Sequence, residues 1–277
     1  MGQNRMPDRP LRYSYSSQQP SRVNRRRVKW PRVIMVFLIL FAVFGIPIFI
    51  VSVGQKEFTE SNVPSLELGL ETKAEPQALI EPVKLDVPLI NQMLPPELYN
   101  GCEVTSLAMI LQYAGYNVTK TELADRINKL PVTHQDGLKG NPNYGFVGDI
   151  DGSNPGYFVY HGPIADLAKK YAGDRVQDLT GADPSKLYEK IAEGVPVWVI
   201  TTTSFGPVSN METWDTPHGK VKVSMSEHSV VVTGYSEKYV WLNNPYGHKN
   251  QKVDRQQFEK SWIEMGRQAV VVNPKKS

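Results

Sequence analysis

The single cysteine of this chain, Cys102, is the residue with the most distinctive chemistry. A lone cysteine forms no internal disulfide, so its sulfur is either a small apolar group inside a core or a reactive thiol. Asn100 and Gly101 precede it as a turn and a helix cap, and a helix is predicted over residues 102–114. In the first turn of that helix, free N–H groups and the helix dipole would stabilise a thiolate and lower the pKa of the thiol. Both interpretations of the sulfur stay open on this residue alone.

A cysteine nucleophile requires a base for its proton and a third group that orients the base. Four of the five histidines fall in loops or turns and are interpreted as surface residues: His134, His161, His218 and His248. His228 instead opens the strongest predicted strand, 229–235, where its position would be rigid, although a structural histidine near a core is the alternative. The next predicted strand, 239–243, leads into Asn243 and Asn244. Because neighbouring antiparallel strands lie side by side, we expect one of these asparagines to accept a hydrogen bond from the imidazole.

Thioester chemistry also requires hydrogen-bond donors for the oxyanion of the tetrahedral intermediate. The backbone N–H of Cys102, at the helix start, is one candidate, and the side chain of Gln92 is the other. Gln92 taken alone is better explained as a solvated loop amide. The chain order cysteine, histidine, asparagine is that of papain-like enzymes, in which these residues are distant in sequence and adjacent in the fold.

The elements that must position these residues indicate an α+β fold, in which a helical lobe packs on an antiparallel sheet. Hydrophobic spacing and capping signals predict helices over residues 102–114, 119–129, 163–171, 184–193 and 255–265. Runs of β-branched and aromatic residues predict strands over residues 85–90, 195–203, 229–235, 239–243 and 268–272. Thr119 and Glu122 match a capping box. Residues 131–161, rich in Gly, Asn, Pro and Asp, are predicted to form one long functional loop.

Within this loop, the segment Asp149-Ile-Asp-Gly-Ser-Asn154 superficially matches a calcium-binding loop. The sixth position of such a loop requires glycine and the twelfth a bidentate carboxylate, whereas this chain has Asn154 and Tyr160 there. We therefore expect a turn-rich loop beside a substrate groove. Neither a metal ion nor a cofactor is expected.

Residues 33–53 form an uncharged apolar run that is long enough to span a bilayer as a helix. Basic residues precede the run and acidic residues follow it, so residues 1–32 are predicted to be cytoplasmic and the rest extracytoplasmic. A cleaved signal peptide is the alternative, but the run is longer than usual and no small-residue cleavage site follows. The predicted organisation is a disordered basic tail at 1–32, a signal anchor at 33–53, a polar stalk at 54–82 and one domain at 83–277.

The formal net charge of +3 is unevenly distributed, since the tail is strongly basic and the remainder is acidic. The arginines of the tail suit anionic lipid headgroups. The expected partners are therefore membrane lipid and a peptide or cell-wall peptide substrate, and not nucleic acid. The expected location is the cell membrane, with a single span and the domain outside. One cysteine in an exported domain also excludes a disulfide framework.

Four segments of this chain resemble, in order, the motif set of bacterial papain-like peptidases in the cysteine peptidase family 39-like group. They are Val87-Pro-Leu-Ile-Asn-Gln92, Asn100-Gly-Cys-Glu-Val-Thr-Ser-Leu-Ala-Met109, Glu227-His-Ser-Val-Val-Val-Thr-Gly-Tyr235 and Asn243-Asn-Pro-Tyr-Gly247. The similarity extends over residues 83–272 and implies a papain-like fold. It implies that Cys102 is the nucleophile, His228 the base and Asn244 the residue that orients the base. Gln92 would then donate to the oxyanion.

This chain departs from that group in two respects. Relatives in the group remove bacteriocin leader peptides after double glycines and are joined to an ABC transporter, whereas this chain has no Walker motif. Leader processing is therefore not implied. The group usually has Asn-Asp-Pro where this chain has Asn243-Asn244-Pro245. A neutral amide orients an imidazole without stabilising its cation by charge, so lower activity or a shifted pH range is expected.

The leading interpretation is a membrane-anchored, extracytoplasmic thiol hydrolase that cleaves a peptide or isopeptide bond through a thioester. The same site suits an amidase or an acyl-transferase acting on cell-wall peptides, and in the transferase an amine replaces water in the second step. A non-catalytic surface domain that binds peptides is the third interpretation, for which Asn244 is the only direct hint. The presence of glutamine, cysteine and histidine in order argues against this third interpretation.

Overall fold

The computed structural model describes residues 82–275. Its strands are β1 (Val83–Lys84), β2 (Lys129–Leu130), β3 (Phe146–Val147), β4 (Val176–Asp178), β5 (Val197–Thr202), β6 (Glu212–Thr216), β7 (Gly219–Val223), β8 (Glu227–Tyr235), β9 (Tyr239–Asn244), β10 (His248–Asp254) and β11 (Ala269–Val272). Its helices are α1 (Cys102–Tyr113), α2 (Lys120–Arg126), α3 (His161–Ala172), α4 (Pro184–Ala192) and α5 (Arg255–Glu264). The predicted α+β class is confirmed.

Seven of the strands form one antiparallel sheet. Their order is β10-β9-β8-β5-β11-β4, and β1 pairs with the end of β8. In this register, His228 at the start of β8 lies opposite Thr201 of β5, and Asn243 of β9 lies opposite Val231. The other strands form two small sheets, the parallel pair β2–β3 and the antiparallel hairpin β6–β7. The central strand β8 thus has the predicted histidine at one end, beside the strand that ends in asparagine.

Residues of the sheet alternate between two hydrophobic clusters, one on each face. Trp198 and Ile200 belong to the cluster that includes α1, α2 and α3. Val197 and Val199 belong to the cluster that includes α4 and α5. Because helices cover both faces, β5 and β8 are buried along almost their whole length, and their sequences are correspondingly rich in valine. The predicted helical lobe is therefore divided between two layers.

Helix α1 is the central element of the first layer. Its apolar side chains are completely buried between the sheet and the neighbouring helices: Val104, Leu107, Ala108, Met109, Ile110 and Leu111. Burial of each large aliphatic side chain is worth about 1.5–3 kcal/mol, so the position of α1 against β8 and β5 is strongly determined. The helix ends at Tyr113, and Gly115 follows with a φ of 88°, in the left-handed region that favours glycine. These bounds agree with the prediction.

Helix α2 begins at the predicted cap but ends early. The side chain of Thr119 accepts a hydrogen bond from the backbone N–H of Glu122, as the capping box predicts. The carboxylate of Glu122 contacts Arg126 and Tyr171 instead of closing the box. The helix stops at Arg126 because residues 129–130 pair with β3.

The predicted strand over residues 85–90 is wrong, because only β1 pairs with β8 in this region. Pro88 has no N–H to donate to a sheet. The carbonyl groups of Val87 and Pro88 instead accept hydrogen bonds from the side-chain amide of Asn243. The predictions for α3, α4, α5 and four strands agree with the structure to within two residues. The short strands β2, β3 and β4 and the polar strands β6, β7 and β10 were missed.

The predicted tail and membrane span, and almost all of the predicted stalk, lie outside the described residues. Within residues 82–275, no helix is both long enough and apolar enough to cross a bilayer.

The cap of α2 offers a direct test of this local structure. Thr119→Ala removes the oxygen that accepts from the N–H of Glu122, so we expect the free energy of unfolding to fall by about 1 kcal/mol. Thr119→Ser retains that oxygen and should restore most of the loss. Thermal unfolding of the two variants and the natural chain measures the effect. An equal loss of stability in Thr119→Ala and Thr119→Ser would contradict a stabilising role of the Thr119 hydroxyl as the helix cap.

Candidate active site

A cleft of about 420 Å³ opens beside the first turn of α1. Gln92 and Cys102 line it, together with Tyr157 and Phe158 from the long loop. The loop that was predicted to border a groove therefore does so. Its Asp149 carboxylate accepts hydrogen bonds from the side chains of Ser153 and Asn154 in the same turn.

Cys102 is the first residue of α1 and is only 8% exposed. No side chain caps this helix, because the preceding residue is Gly101. A Cβ atom at position 101 would lie 2.5 Å from the Cβ atom of Leu98, so space requires glycine here. Without a side-chain cap, the N–H groups of the first turn remain available to a ligand in the cleft.

The thiol of Cys102 contacts both its own helix and strand β8. Its sulfur donates a hydrogen bond to Oε2 of Glu103, with a distance of 3.3 Å between the two atoms. The backbone of Ser229 on β8 lies close enough to the sulfur to lower the pKa of the thiol. One turn further along α1, the hydroxyl of Ser106 donates to the carbonyl of Ser229 at 3.2 Å. These contacts fix the thiol next to the residue that follows His228.

The pKa of the Cys102 thiol is raised, contrary to the expectation from its position in the helix. Burial is the largest cause, and the carboxyl groups of Glu103 and Glu227 raise the pKa further. The backbone of Ser229 lowers it by a smaller amount. The predicted lowering of the thiol pKa is therefore wrong for the resting site, because loss of solvent and two adjacent acids favour the protonated sulfur.

Glu103 is fully buried immediately after the thiol. Its Oε1 accepts a hydrogen bond from the backbone N–H of Val159 at 2.7 Å, and its carbonyl oxygen accepts from the indole N–H of Trp198 at 3.0 Å. Burial raises the pKa of Glu103 to about 7, although the bond from Val159 opposes this rise. The carboxyl thus joins α1 to the long loop and titrates near neutral pH.

Glu227 is a second acid beside the thiol, and it lines the cleft. Its Oε1 is buried without a hydrogen-bond partner. Burial, followed by the charge of Glu103, raises the pKa of Glu227 well above its ordinary range. One donor atom from each of Cys102, Glu103 and Glu227 lies within 4.8 Å of the other two.

Neither acid was predicted as a site residue from the sequence. Each one is the direct sequence neighbour of a predicted site residue, since Glu103 follows Cys102 and Glu227 precedes His228. An acid within an otherwise apolar helix was the available signal for Glu103. The start of a buried strand was the corresponding signal for Glu227.

His228 and Asn244 form the predicted pair. Nε2 of His228 and Oδ1 of Asn244 are 2.9 Å apart, and the imidazole is 1% exposed. An amide oxygen only accepts, so Nε2 carries the proton and Nδ1 of the neutral ring is left as an acceptor. Nδ1 is buried and has no partner. Burial lowers the pKa of His228 to about 4, while the bond to Asn244 opposes this change.

Two hydrogen bonds fix the side chain of Asn244, and one stacking contact fixes the plane of the His228 imidazole. The Asn244 amide nitrogen donates to Oε1 of Gln251 at 2.9 Å, and its Oδ1 also accepts from the backbone N–H of Tyr246 at 3.0 Å. The Tyr246 ring stacks on the imidazole of His228, with 4.7 Å between ring centres. Asn243 has a structural role instead, since it bonds the chain before α1 and the backbone N–H of Asn250. The structure therefore selects Asn244 from the two predicted candidates.

Gln92 lies in the cleft wall and is 1% exposed. Its backbone N–H donates to the carbonyl of Pro245 at 2.8 Å, which ties it to the segment after Asn244. Its side-chain nitrogen donates to the carbonyls of Leu98 at 3.1 Å and Tyr99 at 3.0 Å, while its Oε1 is buried without a partner. To donate to an oxyanion, the amide would have to release one of these carbonyls. That role stays a prediction.

The side chain of Lys120 binds the backbone of the segment that carries Gln92. The ammonium group of Lys120 donates to the carbonyls of Asn91, Gln92 and Leu94, at 2.8, 2.9 and 2.6 Å. Because ion–dipole hydrogen bonds are stronger than neutral ones, helix α2 holds this segment against the site through a single side chain.

Two of the other histidines, His161 and His218, have partners outside the cleft. His161 begins α3, and its Nδ1 contacts the Asp178 carboxylate on β4 at 2.6 Å. Burial raises the pKa of Asp178, but hydrogen bonds from His161 and Thr180 outweigh it and hold this pKa at about 2. His218 stacks on the ring of Tyr144 at 3.8 Å. Neither histidine contributes to the cleft.

The fold and the cleft define a class of α+β proteins that place a thiol at a helix N-terminus against an antiparallel sheet. Within that class, the chain belongs to the Peptidase_C39 like family, whose model matches residues 84–270. The predicted resemblance is confirmed at the level of the family. A role in bacteriocin processing is not established by this membership.

Two relatives illustrate the similarity. The chain is 61% identical over 188 residues to the uncharacterized protein YvpB of Bacillus subtilis strain 168, which covers 68% of this chain and 75% of the relative. A solved structure of a candidate C39-like peptidase from Bacillus anthracis matches with a TM-score of 0.68 and 44% identity. That match covers 71% of this chain and all of the other.

The raised pKa of Glu103 predicts a pH dependence of stability. Its pKa is about 7 in the folded chain against 4.5 for the ordinary group, so folding takes up a proton between these values. The contribution of Glu103 to the free energy of unfolding is fully present below pH 4.5. It is lost as the pH rises through about 7. Glu103→Gln removes this titration, so the melting temperature of the variant should rise relative to that of the natural chain between about pH 5 and about pH 8.

His228 contributes with the opposite sign, because its folded pKa of about 4 lies below the ordinary 6.5. The contribution of His228 to stability is lost as the pH falls. It is the same in the natural chain and in Glu103→Gln, so it cancels in the comparison. The control is Glu237→Gln, at an exposed carboxylate in the turn after β8. The difference in melting temperature between this variant and the natural chain should stay constant over the same pH range. If the difference in melting temperature between Glu103→Gln and the natural chain is also constant with pH, Glu103 does not titrate as assigned.

Proposed function

We propose that this chain is a thiol hydrolase that cleaves a peptide or isopeptide bond through a thioester formed on Cys102. The observation that carries the proposal is the His228–Asn244 pair, which leaves a buried, unpartnered Nδ1 acceptor on the strand that contacts the thiol. A base in a fixed tautomer beside an uncapped helix N-terminus is the arrangement that thioester chemistry requires. Membership of the Peptidase_C39 like family supports the same reaction class.

In the proposed mechanism, Nδ1 of His228 takes the proton of the Cys102 thiol, and the sulfur attacks the carbonyl carbon of the substrate. The backbone N–H of Cys102, with Gln92 as the predicted second donor, stabilises the oxyanion. The C–N bond breaks, and the departing amine takes the proton from His228. Water then loses a proton to His228 and attacks the thioester, which releases the acid and restores the thiol.

The resting site holds its proton on sulfur. Burial raises the pKa of Cys102 and lowers that of His228, so the neutral pair is favoured over the thiolate–imidazolium pair in the empty cleft. Proton transfer therefore has to accompany substrate binding, which changes the local charge and excludes water. A low rate of thiol alkylation in the free enzyme is compatible with this mechanism.

Substitutions at the base and its orienting residue test the proposal. His228→Ala should lower kcat/KM by about 10²–10⁴, because general-base catalysis is lost. Asn244→Ala should lower it because the imidazole loses its tautomer and orientation. Asn244→Asp keeps the acceptor and adds a charge that favours imidazolium, so activity should be retained or raised.

The assay uses the full-length chain, a synthetic peptide mixture and mass spectrometry of the products. His218→Ala is the matched control, because His218 stacks on Tyr144 away from the cleft. Cleavage that persists in Cys102→Ala would reject the thiol mechanism. An adduct formed only when an amine is added would assign acyl transfer, and peptide binding without any product would assign the non-catalytic alternative.

The membrane anchor is a further part of the proposal. Residues 33–53 would hold the catalytic domain at the outer face of the cell membrane, as their apolar composition and the basic residues before them suggest. In cells, we expect the full-length chain to sediment with membranes and a variant without residues 1–53 to remain in the supernatant. Protease added to intact, wall-stripped cells should degrade the domain. Protection of the domain in intact cells would contradict the predicted orientation.

A further inference from the structure

Two buried acceptors in the wall of the cleft have no donor. They are Oε1 of Glu227 and Oε1 of Gln92, which belong to residues that line the same cleft as Cys102. Gln92 is 1% exposed, and its amide nitrogen is already bonded to backbone carbonyls. A buried acceptor without a donor costs about 1–3 kcal/mol, and more for a charged group. Within residues 82–275, the protein therefore supplies no donor to these two acceptors of the cleft wall.

The composition of the cleft wall indicates the kind of donor that would fit. Among the described residues 82–275, no lysine, arginine or histidine lines it. Tyr99, Tyr157 and Tyr246 contribute aromatic rings, whose faces attract cations. Glu103 lies behind the thiol with its carboxyl close to that of Glu227. An anionic group would meet two acids here, whereas a cationic group would meet acceptors on several sides.

We propose that the cleft selects substrates that carry a cationic amine close to the bond that is cleaved, and that Glu227 binds this amine. The inference rests on the proposed function and specifies its substrate class. Glu227 is the specificity residue, with the Oε1 atom of Gln92 as a second acceptor. The close spacing of Glu227 and the sulfur means that the amine lies next to the attacked carbonyl.

Such an amine has two possible sources in a peptide. The α-ammonium of an N-terminal residue lies about 2.5 Å from the carbonyl carbon of that residue, which follows from the standard backbone bond lengths. A side-chain ammonium of a lysine or another diamino acid reaches the same region by folding back. The two sources share one chemistry and differ in whether the substrate must have a free N-terminus.

Binding of the amine also explains how the resting thiol is activated. The charges of Glu103 and Glu227 are causes of the raised pKa of Cys102. A positive charge placed against Glu227 offsets them, so a bound amine favours the thiolate. A neutral or anionic peptide leaves the thiol protonated. The site would thus combine recognition and activation in one contact.

The test uses three thiol reagents that differ in charge. The full-length chain is treated, with EDTA present, with methanethiosulfonates bearing an aminoethyl, a methyl or a sulfonatoethyl group. Each second-order rate constant is divided by that for 2-mercaptoethanol. We expect the aminoethyl reagent to react with Cys102 about 10-fold or more faster than the sulfonatoethyl reagent on this scale, because a cation beside Glu227 favours its carboxylate form whereas an anion would lie beside two acids.

Glu227→Gln should reduce this ratio to near one, because the amide keeps the shape of the side chain but cannot ionise to pair with a cation. Glu237→Gln is the matched control, since its exposed carboxylate follows the other end of β8, and it should leave the ratio unchanged. An equal ratio in Glu227→Gln and the natural chain would overturn the proposal. So would a ratio near one in the natural chain. Thermal unfolding of each variant confirms that it is folded.

Matched peptides then separate the two amine sources. Cleavage of peptides with a free N-terminus and loss on acetylation would assign the α-ammonium, whereas loss on replacing lysine by norleucine would assign the side chain. Indifference to both changes would overturn the proposal. The reagent assay requires no hydrolysis, so charge selectivity without any peptide cleavage would reject the proposed function and keep the cation site.

Discussion

The buried carboxyl of Glu103 is the interaction on which the arrangement of the site depends. One oxygen accepts from the long loop at Val159, the other accepts from the Cys102 thiol, and the carbonyl of the same residue accepts from Trp198 in the sheet. Helix, loop and sheet therefore meet at one residue. Because a buried carboxyl without partners is costly, these bonds also determine the position of the first turn of α1. The thiol and the cleft wall move together if that turn moves.

Burial at this point has an electrostatic consequence for the whole site. Loss of solvent favours the neutral forms of the thiol, both acids and the imidazole, and it is the largest cause of each pKa shift. The empty cleft is thus a neutral, preorganised environment that responds strongly to any charge brought into it. In a medium of low effective dielectric, a single charge a few ångströms away changes these equilibria far more than it would in water. Recognition by charge and activation of the thiol are therefore physically linked.

Much of this arrangement was predictable from local signals. The apolar run after Gly101 predicted α1, and the valine-rich runs predicted β8 and β9, whose adjacency placed His228 beside Asn244. The roles of Glu103 and Glu227 were not predictable, because an acid is normally solvated and its burial results from packing of distant elements. The sequence also favoured a lowered thiol pKa, since helix position is readable and desolvation is not. Tertiary packing decided each of these points.

The asparagine at position 244 is consistent with this balance of charge. In the motif that the chain resembles, an aspartate usually faces the imidazole and stabilises its cation. Here Glu227, the neighbour of His228, and Glu103 already place two acids beside the sulfur. A third carboxylate would accept from the imidazole but would lose the hydrogen bond that Asn244 donates to Gln251. Both acids are thus located on the thiol side of the pair, where a cationic substrate would favour their carboxylate forms, and the orienting side is left neutral.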